Sequence, residues 1–207
     1  MTDNSKENIN EIAGIILDEL REDCARKQKK GAHFIIASIL LWTALLIVQC
    51  SGLPVLTRNL YTFCCTGMLV PLAYLISKGI GVDFQNKGNP LNGLGLLFSI
   101  NQLFYLLIAM WIYQAVPEKM VMVLAMIFGA HLFPYGWLYK SLSYRIFAVV
   151  IPIGALILGN MYPSWDLCAV MIPTEIFFSL ILLVECRKYS KKLSLPKLLL
   201  WVCAFIR

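Results

Sequence analysis

Six stretches of this chain are each long and apolar enough to cross a lipid bilayer as an α-helix, which needs about 20 such residues. They lie at roughly 33–51, 58–77, 92–114, 119–138, 143–160 and 167–185. Most connectors between them are short, which predicts that successive helices are antiparallel neighbours. Only 14% of the residues are charged, against about 25% in soluble domains. The sequence therefore predicts an all-α fold, a six-helix transmembrane bundle with lipid as its main solvent.

The distribution of basic residues predicts how this bundle is oriented. If the six helices alternate in direction, all 18 Lys and Arg residues except Arg58 and Lys119 fall on one side of the membrane. Lys and Arg concentrate in cytoplasmic segments of membrane proteins. We therefore expect both termini to be cytoplasmic, with the spanning domain covering residues 31–186.

The two ends outside the spanning domain have their own patterns. In residues 1–30, apolar side chains recur at helical spacing and predict an amphipathic helix; they are Ile9, Ile12, Ile15, Ile16 and Leu20. Its polar face is acidic and would be repelled by anionic lipid, so we expect it to pack on the protein itself or on a partner. In residues 187–207, a basic segment precedes nine apolar residues, 198–206, which are too few to span and predict a short interfacial helix.

A few polar residues fall inside the predicted spans. Counting along each helix places Gln102, His131 and Glu175 near the middle of the bilayer, with Asn101 and Tyr105 beside Gln102. Ionisable groups at this depth are costly and often functional, and a shared site could carry a proton or bind a cation. Alternatively, these side chains are hydrogen-bonded contacts between helices.

Four prolines interrupt the predicted spans: Pro71, Pro134, Pro152 and Pro173. Each removes a backbone donor and favours a kink, and broken helices often line the substrate cavities of transporters. Proline is also common in ordinary membrane helices. Beyond Pro134, Tyr135, Trp137 and Tyr139 fit an aromatic belt at the membrane boundary.

Sequence motifs for other classes of function are absent. We find no catalytic signature, phosphate-binding loop or metal-ligand spacing, and the seven cysteines are typical of small apolar residues in helices. The net charge of +6 is explained by the membrane orientation and does not indicate nucleic-acid binding. We expect no cofactor and no metal, and the sequence favours a protein that is not an enzyme.

Several stretches resemble a known family. NLYTFCCTGMLVPLAYLISK, DFQNKGNPLNGLGLLF, PEKMVMVLAMIFGAHLFPYGWLYKS and IPIGALILG are similar to a family of uncharacterised bacterial multi-pass membrane proteins found mainly in Bacillus-like organisms. The likeness covers about residues 26–185. It implies a bacterial plasma membrane protein and brings no activity, substrate or catalytic residue.

Three hypotheses for function follow from these features. The first is a protein that binds or transports a small molecule or ion at the polar positions in mid-membrane. The second is a non-catalytic membrane sensor or partner-binding protein whose cytosolic N-terminal helix and loop (83–92) contact another protein. A homo-oligomer is a further possibility. The third is an intramembrane enzyme, which lacks any supporting motif.

Overall fold

The computed structural model describes the backbone of residues 3–84 and 87–205, and the side chains of residues 5–84 and 87–187 apart from Leu96 and Leu103. Within these ranges the chain is helical, without strands. The helices are α1 (Asp3–Lys27), α2 (Ala32–Cys50), α3 (Val55–Thr66), α4 (Leu69–Ile80), α5 (Leu91–Ala115), α6 (Met120–Ala130), α7 (Leu132–Leu138), α8 (Leu142–Met161) and α9 (Ser164–Phe205).

Six helical segments are long and apolar enough to cross a membrane, which confirms the predicted number. They are Lys29–Cys50, Val55–Ile80, Leu91–Ala115, Pro117–Leu138, Leu142–Met161 and Ser164–Arg187. The second segment consists of α3 and α4, and the fourth contains α6 and α7. The second and fourth spans are therefore each interrupted between two α-helices, whereas each of the other four contains a single α-helix.

Each interruption lies one turn before a proline. Pro71 has no N–H to donate to the carbonyl of Gly67, and α3 ends at Thr66 while α4 begins at Leu69. Pro134 has the same effect on the carbonyl of Ala130, the last residue of α6. Pro152 and Pro173 lie inside α8 and α9, which continue through them. A proline alone thus does not determine where a span is interrupted.

The centre of the bundle is built on two close helix pairs, α2 with α9 and α6 with α8. Glycines permit the second approach. A Cβ atom at Gly129 would lie 2.5 Å from Cδ of Pro152, and one at Gly159 would lie 2.5 Å from Cγ of Met122. Small residues at such crossings let membrane helices pack by van der Waals contact.

The two ends of the chain differ partly from expectation. The second half of α1 packs on the bundle, but Ile9, Ile12, Ile15 and Ile16 of its first half are exposed. The helix that forms the sixth span continues to Phe205. The predicted short interfacial helix at 198–206 is therefore wrong up to Phe205, because these residues continue α9. Ile206 lies outside the described residues.

Candidate functional site

A cavity of about 140 Å³ lies inside the bundle and is lined by residues of helices α2 through α8. Both interrupted spans contribute to its wall at their interruptions. Thr66 and Leu69 flank the break in the second span, and His131 is the break in the fourth. Pro71 and Pro134 do not line the cavity themselves; they contribute to it through the helix breaks that precede them, which lie in its wall.

The side chains around this cavity are mostly apolar or aromatic, and none of the described lining residues is Asp, Glu, Lys or Arg. Two of the predicted polar residues, His131 and Gln102, line it together. Two ring nitrogens of lining residues have no hydrogen-bond partner among the described residues, Nε1 of Trp42 and Nδ1 of His131. The cavity is thus neutral, with a few polar groups on its wall.

Tyrosines and a glycine close one end of the cavity. Tyr144 donates a hydrogen bond to the carbonyl of Lys30 (2.8 Å), and Tyr139 donates one to Oε1 of Gln28 (2.8 Å). Between them, Gly31 has a φ of 70°, and a Cβ atom there would lie 2.9 Å from Oη of Tyr144. Burial raises the pKa of Tyr139 well above its ordinary value, which keeps its hydroxyl as a donor.

Glu175 is fully buried, but it is not among the residues that line the cavity. It lies between α9 and α2, with Oε2 2.8 Å from Oγ of Ser38. The same Oγ is 2.7 Å from the carbonyl of Ile35. A serine hydroxyl has one hydrogen, so if it donates to Ile35, a protonated Oε2 of Glu175 supplies the hydrogen for the contact with Ser38, while Oε1 has no partner among the described residues. The structure therefore separates Glu175 from His131 and Gln102.

Asn101 and Tyr105 lie on another face altogether. Both are exposed on α5, and Nδ2 of Asn101 donates to Oη of Tyr105 at 2.8 Å. Ser99 and Gln102 of the same helix line the cavity. The five predicted polar residues thus fall into three places: the cavity wall, the α2–α9 contact and the outer face of α5.

A polar network, which we call the end network, covers the end of the bundle where α1 lies. Nζ of Lys30 is 2.7 Å from Oε2 of Glu185, whose carboxylate also accepts hydrogen bonds from Ser141 and Ser143. Within the part of the chain whose side chains are described, no group of three His, Cys, Asp or Glu side chains is placed to hold a metal ion.

The second half of α1 contributes carboxylates to this end. Hydrogen bonding to Lys140 lowers the pKa of Asp18. Partial desolvation would raise the pKa of Asp23, but hydrogen bonds from Asn89, Lys27 and Arg26 outweigh it and hold the pKa at about 2. These ionised groups fix α1 to the connectors between spans.

Sequence analysis missed Trp42, Lys30 and Glu185. Lys30 and Glu185 stand at the ends of the first and sixth spans, where a charge is ordinarily explained by the membrane boundary. Tyr139, assigned to an aromatic belt, is instead buried. A signal for this pair was available in the sequence. Lys30 and Glu185 have opposite charges, and the predicted topology places them at span ends on the same side of the bundle.

This architecture defines an all-helical protein with six candidate membrane spans around an uncharged internal cavity. The chain belongs to a family of unknown function, DUF7010, which matches residues 17–185. No curated protein matches the chain, and no solved structure matches it.

Proposed function

We propose that this protein binds a small neutral molecule inside the membrane, in the cavity between its two interrupted spans. The observation that carries the proposal is the uncharged wall, to which His131 and Gln102 both contribute. A charged ligand would lose its hydration there without gaining a counter-charge, which costs several kcal/mol or more. Neutral ligands avoid this cost.

Size and polarity narrow the ligand further. An apolar cavity of about 150 Å³ accommodates benzene, and this cavity holds about 140 Å³. The Nε1–H of Trp42 is a donor without a partner among the described residues, and an unpaired buried donor is costly. The best ligand is therefore about one ring in size, with one hydrogen-bond acceptor.

The interruptions supply a means of changing the cavity's shape. Helix ends at Thr66 and Ala130 leave the two halves of each span joined by one or two residues. Discontinuous helices form the substrate sites of many transporters. We infer that α4 and α7 shift when the cavity is filled, which is the movement that transport would use.

A neutral fluorinated probe tests the binding. We expect 4-fluoroacetophenone to bind saturably to the purified protein in micelles, as followed by ¹⁹F NMR, whereas the 4-fluorobenzoate anion does not. Trp42→Phe should weaken binding roughly 2- to 12-fold, the value of one hydrogen bond. Leu106→Trp fills the cavity and should abolish it. Equal signals from the wild type and a folded Leu106→Trp variant would refute the site.

Spin labels test the movement. Leu75 on α4 and Phe133 on α7 are exposed and suit labelling. In a variant without native cysteines, the distribution of distances between these labels should shift when 4-fluoroacetophenone is added. A pair on Ile47 and Ile157, outside α4 and α7, serves as the control and should not shift.

We also infer that the protein lies in a bacterial plasma membrane with the segments before the first span and after the sixth in the cytoplasm. The distribution of Lys and Arg supports this orientation. Fusions of alkaline phosphatase and of green fluorescent protein after residue 187 test it. The orientation predicts fluorescence from the second fusion and no phosphatase activity from the first.

A second candidate function is that of a sensor whose N-terminal helix contacts another protein. The exposed isoleucines of α1 favour it. The two functions separate experimentally, because Ile12→Asp on α1 should leave the binding of 4-fluoroacetophenone unchanged if the cavity works alone. A sensor that couples α1 to the cavity should instead change its affinity for the probe.

A further inference from the structure

The third span, α5, is the least covered helix of the bundle. Among its described side chains only that of Ala109 is buried, whereas each of the other five candidate spans buries at least four residues. Its cavity side carries Ser99, Gln102 and Leu106. The opposite side faces away from the rest of the chain, so most of its surface is left to lipid or to another molecule.

A regular stripe runs along that opposite side. Its members are Leu97, Asn101, Phe104, Ile108 and Trp111, all of them exposed. They are spaced alternately by four and three residues, which is the heptad spacing of two helices that wrap around each other at a crossing angle of about +20°. An apolar stripe alone could face either lipid or another helix. The polar residue of the stripe, Asn101, distinguishes these two neighbours.

Asn101 places an amide in the middle of this stripe. It is ten residues from Leu91, about 15 Å along the helix, and so near the bilayer midplane. Its Nδ2 donates to Tyr105, while its Oδ1 has no hydrogen-bond partner within the side chains that the structure describes. Lipid offers no donor at this depth, and an unsatisfied polar group in hydrocarbon is unfavourable.

We propose that this stripe pairs with the same stripe of a second copy of the chain, with Asn101 hydrogen-bonded across the interface. A side-chain amide carries both a donor and an acceptor, so two copies related by a two-fold axis satisfy each other. Polar side chains hydrogen-bond across membrane helices in this way, and a single Asn in a heptad stripe fixes pairing and register. The stripe carries no charge that would oppose self-association.

This inference goes beyond the proposed function and is independent of it. Ligand binding depends on the cavity side of α5, whereas pairing depends on the opposite side. The same helix would then form both a cavity wall and the contact between copies. Loss of pairing and loss of ligand binding can therefore be measured separately.

Disulfide cross-linking in membranes tests the geometry. Both copies insert with the same orientation, so identical positions of the stripe should meet. In a background without native cysteines, Leu97→Cys and Ile108→Cys should form disulfide-linked dimers on mild oxidation. Leu107→Cys and Met110→Cys are comparably exposed but off the stripe, and they should not. Equal cross-linking at all four positions would overturn the proposal.

Energy transfer between labelled copies in liposomes tests the role of Asn101 with the native cysteines retained. Asn101→Leu should weaken dimerisation roughly 3- to 30-fold, and Asn101→Gln should restore part of it. Binding of 4-fluoroacetophenone by Asn101→Leu should stay at the wild-type level, which also shows that the variant is folded. A wild-type protein that stays monomeric, or an Asn101→Leu variant that pairs normally, would refute the interface.

Discussion

The ammonium group of Lys30 lies 2.7 Å from the carboxylate of Glu185, which joins the start of the first span to the last turn of the sixth. The Lys30 side chain is only 3% exposed, and that of Glu185 is 22% exposed. Removing one member of a buried ion pair leaves the other charge uncompensated. The Lys30–Glu185 pair is therefore the contact of the end network that we expect to contribute most to holding the first and sixth spans together.

Replacing Lys30 with Met should destabilise the folded protein. We expect a loss of roughly 2–3 kcal/mol, less than a fully buried pair would cost because Glu185 is partly exposed. Thermal unfolding followed by tryptophan fluorescence in micelles measures it. The double variant Lys30→Met/Glu185→Gln should recover part of the loss, whereas Lys27→Met, which breaks a more exposed pair, should change stability by less than about 1 kcal/mol. Equal losses in the single and double variants would contradict the coupling.

The glycine beside Tyr139 and Tyr144 should be intolerant of any side chain. Gly31 and Gly81 both have positive φ, but only Gly31 has neighbours where a Cβ atom would be. Gly81→Ala should therefore cost only the backbone strain, about 1–2 kcal/mol, and Gly31→Ala should cost a further 1–3 kcal/mol or so from overpacking. Chemical or thermal unfolding of the two variants gives the comparison. Similar losses would mean that the tyrosines move aside.

The contact between α6 and α8 should depend on the absence of a side chain at Gly129. Gly129→Ala would place a methyl group 2.5 Å from Pro152, and we expect it to cost about 1–3 kcal/mol. Gly154→Ala lies on α8 with nothing within 4 Å and should be neutral or slightly stabilising. The difference in melting temperature between the two variants is the measurement, and equal melting temperatures would argue against close packing at this crossing.

Acid should weaken the attachment of α1 through Asp23. The pKa of this carboxyl is about 2 in the folded protein against an ordinary 3.8, so ionisation favours the folded state. Its contribution is fully present above about pH 4 and is lost as the pH falls towards 2. Asp23→Asn should remove this part of the pH dependence of the melting temperature between pH 4 and 2. Glu7→Gln, at an exposed position of the same helix, should retain it.

Glu175 should tolerate replacement by Gln. The amide can donate to Ser38 as a protonated carboxyl does, so we expect a change in stability below about 1 kcal/mol, with Ser38→Ala costing about as much as one hydrogen bond, roughly 1 kcal/mol. Because Glu175 does not line the cavity, binding of 4-fluoroacetophenone should be unchanged. Proton flux into proteoliposomes should also be the same for the wild type and Glu175→Gln; a lower flux in the variant would revive the proton-carrier hypothesis.

The spans could be predicted because length and hydropathy alone determine them, and the six predicted ranges match the observed helices closely. The grouping of the polar residues could not. Asn101 and Gln102 are adjacent in sequence, yet the 100° step between helical residues contributes to placing one on the outer face and the other on the cavity wall. Depth along a helix follows from counting, but the direction of a side chain depends on which neighbour each helix meets.

The breaks in the two spans and the unpartnered nitrogen of Trp42 escaped prediction for different reasons. Four prolines have the same local chemistry, but only near Pro71 and Pro134 is the helix interrupted, so the surrounding packing decides the outcome. Trp42 is one aromatic residue among many in an apolar run. Its unpartnered nitrogen is visible only once the groups around it are known.

The attachments of α1 and of Lys29, two residues beyond its end, have a mechanical consequence. Lys29 donates to the carbonyl of Ile80, where α4 ends, and Arg21 donates to the carbonyl of Trp137 near the end of α7 (3.0 Å). These are the two half-helices that follow the breaks beside the cavity. The segment from Arg21 to Lys29 therefore restrains both α4 and α7. A tilt of one half-helix would strain the contact of this segment with the other. A displacement of that segment would therefore act on the cavity wall through both interrupted spans at once.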